Sequence, residues 1–342
     1  MMKPLVGQPV RGTALLLAVL ALGLNARGHT QAQVAQARVI RIATLAPRGS
    51  AMTRALALWN RQLSEMTDGQ LSVQVYWGGS MGGERTMVRR MRIGQLDGAS
   101  LTSTGLALIH RPVLVFQVPG VFLTYPQVDA VREAVGPEIA AGFEAEGYHL
   151  LGWGDAGRIR IFSQAPVRRP SDLRRMRPWV PRDDAVFQQV LRAAGATGVT
   201  LSVGEVFAGL RTQMIDVVPG TAMVVAGLQW SGSLRYTTLQ SGGFLIGGIV
   251  IRRSVLEGLT TQQRDALLSS ARENHGRMIR VARRTDERAF RALTRNRLQV
   301  VYAGDELHHW MRVSMEARRA LRGRVVSADL MRRVERIAAE NL

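Results

Sequence analysis

Short apolar stretches alternate with longer amphipathic ones along most of the chain, the pattern of βα units around a mostly parallel sheet. Val39–Thr44 (VIRIAT) predicts a strand that runs into Leu45-Ala46-Pro47. Ser50 is placed to cap a helix reaching about Met66, because Leu56, Leu58, Trp59 and Leu63 recur at helical intervals. The Asp68-Gly69 turn leads to a strand over Leu71–Trp77, a glycine loop and a helix over Glu84–Ile93. A strand over Asp97–Leu101 then ends on a polar corner, Thr102-Ser103-Thr104. A helix near Gln127–Glu146 precedes a strand over His149–Trp153, and a new series of strands and helices starts at about Gly157. That restart predicts a lobe boundary. The first lobe is expected over 38–156, with 245–284 returning to it, and the second over 157–244 with 285–342. From Thr261 to about Arg297 the pattern is continuously helical and long enough to bridge two lobes. The chain shows neither an internal repeat nor a low-complexity linker.

The N-terminus adds an address. Lys3 and Arg11 precede an uncharged run, Gly12–Ala26, whose centre reads ALLLAVLALGL. That core is shorter than the roughly 20 residues a bilayer span requires. Thr30-Gln31-Ala32 and Ala35-Gln36-Ala37 offer small residues where a signal peptidase cuts. Residues 1–32 are therefore expected to be a signal peptide, with an uncleaved membrane anchor as the alternative, and the mature chain is expected in the periplasm. About 300 residues remain, enough for a large core and two domains. The chain has no cysteine, so a disulfide framework and a thiolate metal site are excluded. Its formal charge of +19 falls to about +16 once Lys3, Arg11 and Arg27 leave. Such a balance raises nucleic acid as a partner. However, the arginines are spread along helical segments such as Arg272–Arg297, and an exported chain has little access to nucleic acid. The charge reads as a solvated surface able to attract anionic lipid, and no nucleic-acid partner is expected.

Three motifs suggest enzymes. Gly152-Trp153-Gly154-Asp155-Ala156-Gly157 matches GxGxxG, but a dinucleotide site needs a helix N-terminus there. The next segment, Arg158–Ser163 (RIRIFS), alternates like a strand. Gly78-Gly79-Ser80-Met81-Gly82 matches GxSxG between a strand and a helix, the setting of a nucleophile elbow, with His275 or His308 as conceivable partners. Against a hydrolase, Ser80 comes after only the second predicted strand and no HGGG-like segment precedes it. His308 and His309 are adjacent, point apart on a helix and lack a carboxylate at ligand spacing, so they read as surface residues. No cofactor or metal is expected.

Colinear segments then carry a family resemblance. Ile42–Pro47 (IATLAP), Tyr76–Gly82 (YWGGSMG), Arg92–Gly98 (RIGQLDG), Pro170–Leu173 (PSDL), Leu191–Ala196 (LRAAGA) and Leu210–Asp216 (LRTQMID) resemble the extracytoplasmic binding proteins of TRAP transporters, the DctP family. The similarity covers nearly all the mature chain. It implies an α/β fold of the two-lobed periplasmic-binding-protein type, with mixed, mostly parallel sheets and a long bridging helix. It also implies closure over one small-molecule ligand without bond chemistry, release to TRAP membrane permease subunits, and transport driven by an ion gradient. The GxSxG becomes a family loop. Gly157–Ser163, Trp179 and Leu228-Gln229-Trp230 resemble the subgroup that works with a periplasmic tetratricopeptide-repeat protein.

The departures from the family bear on the ligand. In most members a strand of the second lobe ends in Arg-Val-Pro, and that arginine grips a carboxylate through paired donors. Here the segment is Trp179-Val180-Pro181. A second family arginine aligns with Ile159, whose neighbours Arg158 and Arg160 should point to the opposite strand face. The family's Asp-Gly-Gln-Glu-Asn is replaced by Asp216-Val217-Val218-Pro219-Gly220, which removes an amide. A carboxylate enclosed without a matching charge would lose roughly several kcal/mol of hydration. A hydrophobic or weakly polar ligand is therefore expected, held mainly by Trp179 with Pro219, Gly220, Met223 and Trp230 as walls. Thr44, Leu45, Thr102, Ser103 and Thr104 complete the expected site, the hydroxyls orienting the ligand. The alternatives are a small carboxylate held by displaced arginines and a periplasmic serine hydrolase using Ser80.

Overall fold

The structure, a computed structural model, describes residues 37–342. The expected signal peptide lies outside them. Strand β1 (Arg38–Thr44) pairs in parallel with β2 (Leu71–Tyr76) and β3 (Gly98–Thr102) through crossover helices α1 (Ala51–Met66) and α2 (Glu84–Arg92). Helix α1 starts where the sequence places it, because Ser50 Oγ accepts from the Thr53 amide at 3.3 Å. Its buried stripe of Leu56, Trp59 and Leu63 packs under the sheet, and Trp59 Nε1 donates to Ser270 Oγ at 3.1 Å. The polar corner after β3 is the start of a single-turn helix, α3 (Ser103–Leu106), with Thr102 at its cap position.

After α4 (Tyr125–Ala145) comes β4 (Tyr148–Ser163), a 16-residue strand. Along 148–159 it pairs with β9 (Gly243–Arg252), itself antiparallel to β3. Along 160–163 it pairs with β7 (Val217–Gly220), and at its end with β8 (Tyr236–Thr238). The strand expected to stop at Trp153 therefore continues through Gly157, and its register against β9 shifts between Leu150 and Gly152 and between Asp155 and Arg158. The remaining elements are β5 (Trp179–Pro181), α5 (Ala185–Ala194), β6 (Val199–Leu201), α6 (Val206–Arg211), α7 (Ala222–Gly227) and α8 (Arg253–Glu257). They are completed by α9 (Thr261–Asn296), β10 (Gln299–Val301), α10 (Leu307–Leu321) and α11 (Ala328–Glu340). The sheets are mixed, with parallel pairs at β1–β2, β1–β3, β5–β6 and β8–β10. The 36-residue α9 matches the expected bridging helix; it packs on α1 near one end and on α7 further along.

Residues 307–338 contribute to two different cores. Val313 of α10 sits in a core with Val180 and Leu191, but Leu321, Leu330, Met331 and Val334 share a core with Val128 and Val131 of α4. The reason is the single apolar face of α11, whose residues repeat at three- and four-residue spacing and must be covered. Gln127 of α4 seals the contact by donating to the Ala338 carbonyl at 2.8 Å.

Candidate functional site

The C-terminal ends of β1 and β3, the middle of β4, the β5 and β7 turns and one face of α10 surround a cavity of about 790 Å³. Nine of the ten expected residues line it: Thr44, Leu45, Thr102, Thr104, Trp179, Pro219, Gly220, Met223 and Trp230. Ser103 does not. Its buried hydroxyl donates to the Ile246 carbonyl at 2.8 Å and ties α3 to β9. The backbone explains the convergence, since strand ends of an α/β sheet present their loops on one side.

Each lining group already has a local task. Trp179 is only 4 % exposed, and its Nε1 donates to the Leu201 carbonyl at 3.0 Å. Its ring meets Trp230 edge-to-face at 5.4 Å, and Trp230 is 1 % exposed. The two indoles are thus a packed wall presenting little surface to the cavity. Thr102 is bound to Glu84: its amide donates to Oε1 at 2.5 Å and its hydroxyl to Oε2 at 2.8 Å. Burial pushes the Glu84 carboxyl up to about 7, against those two hydrogen bonds. Thr44 Oγ1 accepts from the Ala46 amide at 3.1 Å and keeps its own proton to donate. Thr104 has no side-chain hydrogen bond among the described residues, so of the expected hydroxyls it and Thr44 are the ones left for a ligand.

The arginines at the cavity are mostly engaged. Arg85 forks onto Asp183 at 3.0 and 2.5 Å, and Arg182 and Arg318 lie 4.0 and 3.8 Å from Glu205 and Glu335. Arg160 turns its guanidinium toward α9, 3.9 Å above the Phe290 ring and 3.8 Å from Asp286. Its Nε and Nη1 are buried without a hydrogen-bond partner. Arg158 does not line the cavity; it donates to the Leu123 carbonyl at 2.9 Å and lies over Tyr125 and Phe244. Arg168, exposed at the mouth, is the one lining arginine in no ion pair among the described residues. Ile159 occupies the wall as expected. The site also contains Leu123, Trp153, Met278, Leu307, Met311 and Met315, which sequence patterns did not single out.

The enzyme motifs resolve differently. The GxGxxG run is extended strand inside β4, paired with β9, and no helix begins there. Ser80 is exposed in the turn after β2, outside the cavity, and no histidine bonds to it among the described residues. The hydrolase alternative gains no support. His308 stacks on His309, and His275 packs against Gly152 at the cavity edge. No group of three or more His, Cys, Asp or Glu among the described residues is placed to hold a metal.

A family model for bacterial extracellular solute-binding proteins, family 7 (DctP), matches residues 42–320. The chain belongs to that family. Among relatives, this DctP protein is 26 % identical over 212 residues to the uncharacterized protein YiiZ of Salmonella typhimurium, covering 61 % of this chain and 64 % of YiiZ. It is 26 % identical over 220 residues to the 2,3-diketo-L-gulonate-binding periplasmic protein YiaO of Escherichia coli, covering 63 % of this chain and 66 % of YiaO. The match thus spans slightly under two thirds of each relative. Among solved structures it resembles the sugar acid binding protein DctPAm of Advenella mimigardefordensis in complex with galactonate. The TM-score is 0.84 at 16 % identity, over 90 % of this chain and 99 % of that one. That likeness establishes the two-lobed α/β fold.

Proposed function

We propose that this DctP protein is the periplasmic receptor of a TRAP-type secondary transporter. It closes over a hydrophobic or weakly polar small molecule and delivers it to the membrane permease subunits. The observation that carries the ligand class is the lining: Trp179 and Ile159 are wall residues, and Arg85 and Arg160 face Asp183 and Asp286. A carboxylate enclosed beside that apolar wall, away from Arg160 and Arg168, would lose hydration without a matching charge, costing on the order of several kcal/mol. An apolar ligand gains roughly 25 cal/mol for each Å² taken from water. YiaO and DctPAm are named for sugar acids, so this protein would differ from them in cargo. Ligand drives closure only so far as the closed form binds it more tightly. The resemblance at Gly157–Ser163, Trp179 and Leu228–Trp230 supports a periplasmic tetratricopeptide-repeat protein as a further partner.

A second reading rests on Arg160, whose two unpaired buried donors would be completed by a small carboxylate. Titration with the uncharged fluorophore N-phenyl-1-naphthylamine, and with D-glucuronate and succinate, separates the two. The apolar reading expects fluorophore binding nearly independent of salt, and no heat from either acid. Tight acid binding that Arg160→Ala abolishes, with no fluorophore binding, overturns it.

A further inference from the structure

Helix α10 crosses from one core to another and turns one stripe to the cavity. Val313 is buried with Val180 and Leu191, Leu321 is buried with α4 and α11, and Leu307, Met311 and Met315 line the opening between. Trp310 anchors the helix by donating to the Arg168 carbonyl at 2.8 Å. The stripe repeats every four residues, so its side chains lie one above another over about 12 Å. Met311 is 61 % exposed, and Leu307, Met315 and the facing Leu123 are also exposed while lining the same cavity. An exposed apolar stripe of this kind, continuous with an open cleft, marks a surface meant to be covered. Methionine suits a cover of variable shape, because its unbranched chain adapts to what it meets.

We propose that the α10 face is a tail subsite that takes an unbranched alkyl chain of the ligand along Leu307, Met311 and Met315. Thr44 and Thr104 serve the ligand's polar end. The proposal rests on the apolar reading of the cavity and narrows it to elongated amphiphiles.

The test is isothermal titration of the mature protein with a series of 1-alkanols from butanol to decanol. Affinity should rise about fourfold per added methylene while the chain runs along α10. In the Met311→Glu/Met315→Glu variant, the gain per methylene should vanish for the long alcohols. Met311→Leu/Met315→Leu should keep the gain, and both variants should keep the wild-type helical signal. Binding of short alcohols with no gain in length, or a gain that survives both glutamates, overturns the tail subsite and leaves the apolar cavity standing. Failure of every alcohol to bind the wild type overturns the apolar reading and the subsite with it.

Discussion

Glu84 and Gly157 each hold their surroundings in a state their chemistry resists. The Glu84 carboxyl is enclosed by Thr102 and by Gly105, where an added Cβ would lie 2.7 Å from its Cδ. Its folded pKa is raised from 4.5 to about 7, so the folded chain holds this proton more tightly than the unfolded one. The resulting stability is fully present below about pH 4.5 and is lost as pH rises through 7. Urea unfolding should show a loss on the order of 3 kcal/mol across that window, absent in Glu84→Gln. An equal slope in the variant would assign the loss to other groups. Gly157 has φ +104, and a Cβ there would lie 2.2 Å from Cγ of Asp286. Asp286 cannot yield easily, because it accepts from the amides of Arg158 and Met223, both at 3.0 Å. Gly157→Ala combines a left-handed backbone with overpacking and should cost about 2–4 kcal/mol by urea midpoint, against about 0.5 for an ordinary surface change.

At the scale of elements, periodicity made most of the fold legible. Strand β1, helix α1 with its Ser50 cap, and the length of α9 are all expected from spacing alone. The expected strand over His149–Trp153 is shorter than β4, because Gly152, Gly154 and Gly157 carry no side chains with which to show alternation. Only pairing with β9, β7 and β8 shows the strand running on. The strand-end part of the site was legible because loops after β1, β3, β5 and β7 share one side of the sheets. The α10 part was not: its helical spacing shows an apolar stripe, but nothing local says which surface that stripe faces. The same holds for α11, whose partner α4 lies far away in sequence. Its packing carries a prediction. Met331 is fully buried against α4, so Met331→Ala should cost about 2–5 kcal/mol in chemical denaturation. A change within about 0.5 kcal/mol would mean that α11 is a dispensable tail.

For the whole molecule, the question is what holds the cavity closed before ligand contributes. Arg85 projects from α2, packed in the core with β3 and α4, while Asp183 lies just past β5, whose Trp179 and Val180 belong to other cores. Their bidentate pair therefore spans the cavity mouth. It is built with some strain, as Asp183 has φ +76, a conformation aspartate tolerates better than most residues. The Arg85 side chain is 65 % exposed, which limits the pair to about 0.2–1 kcal/mol, a bias of at most about fivefold toward the closed form. A weak latch suits the proposed receptor role, in which the closed form would reopen at a permease. Arg85→Ala and Asp183→Asn should each weaken ligand binding by up to about fivefold, and the double variant no further, since both remove one interaction. The coupling should fade in high salt, because the charges are solvent-facing. Small-angle scattering of the unliganded protein should show a matching rise in radius of gyration. Additive losses in the double variant, or losses indifferent to salt, would mean that the two residues act separately and that closure depends on the ligand and the apolar walls alone.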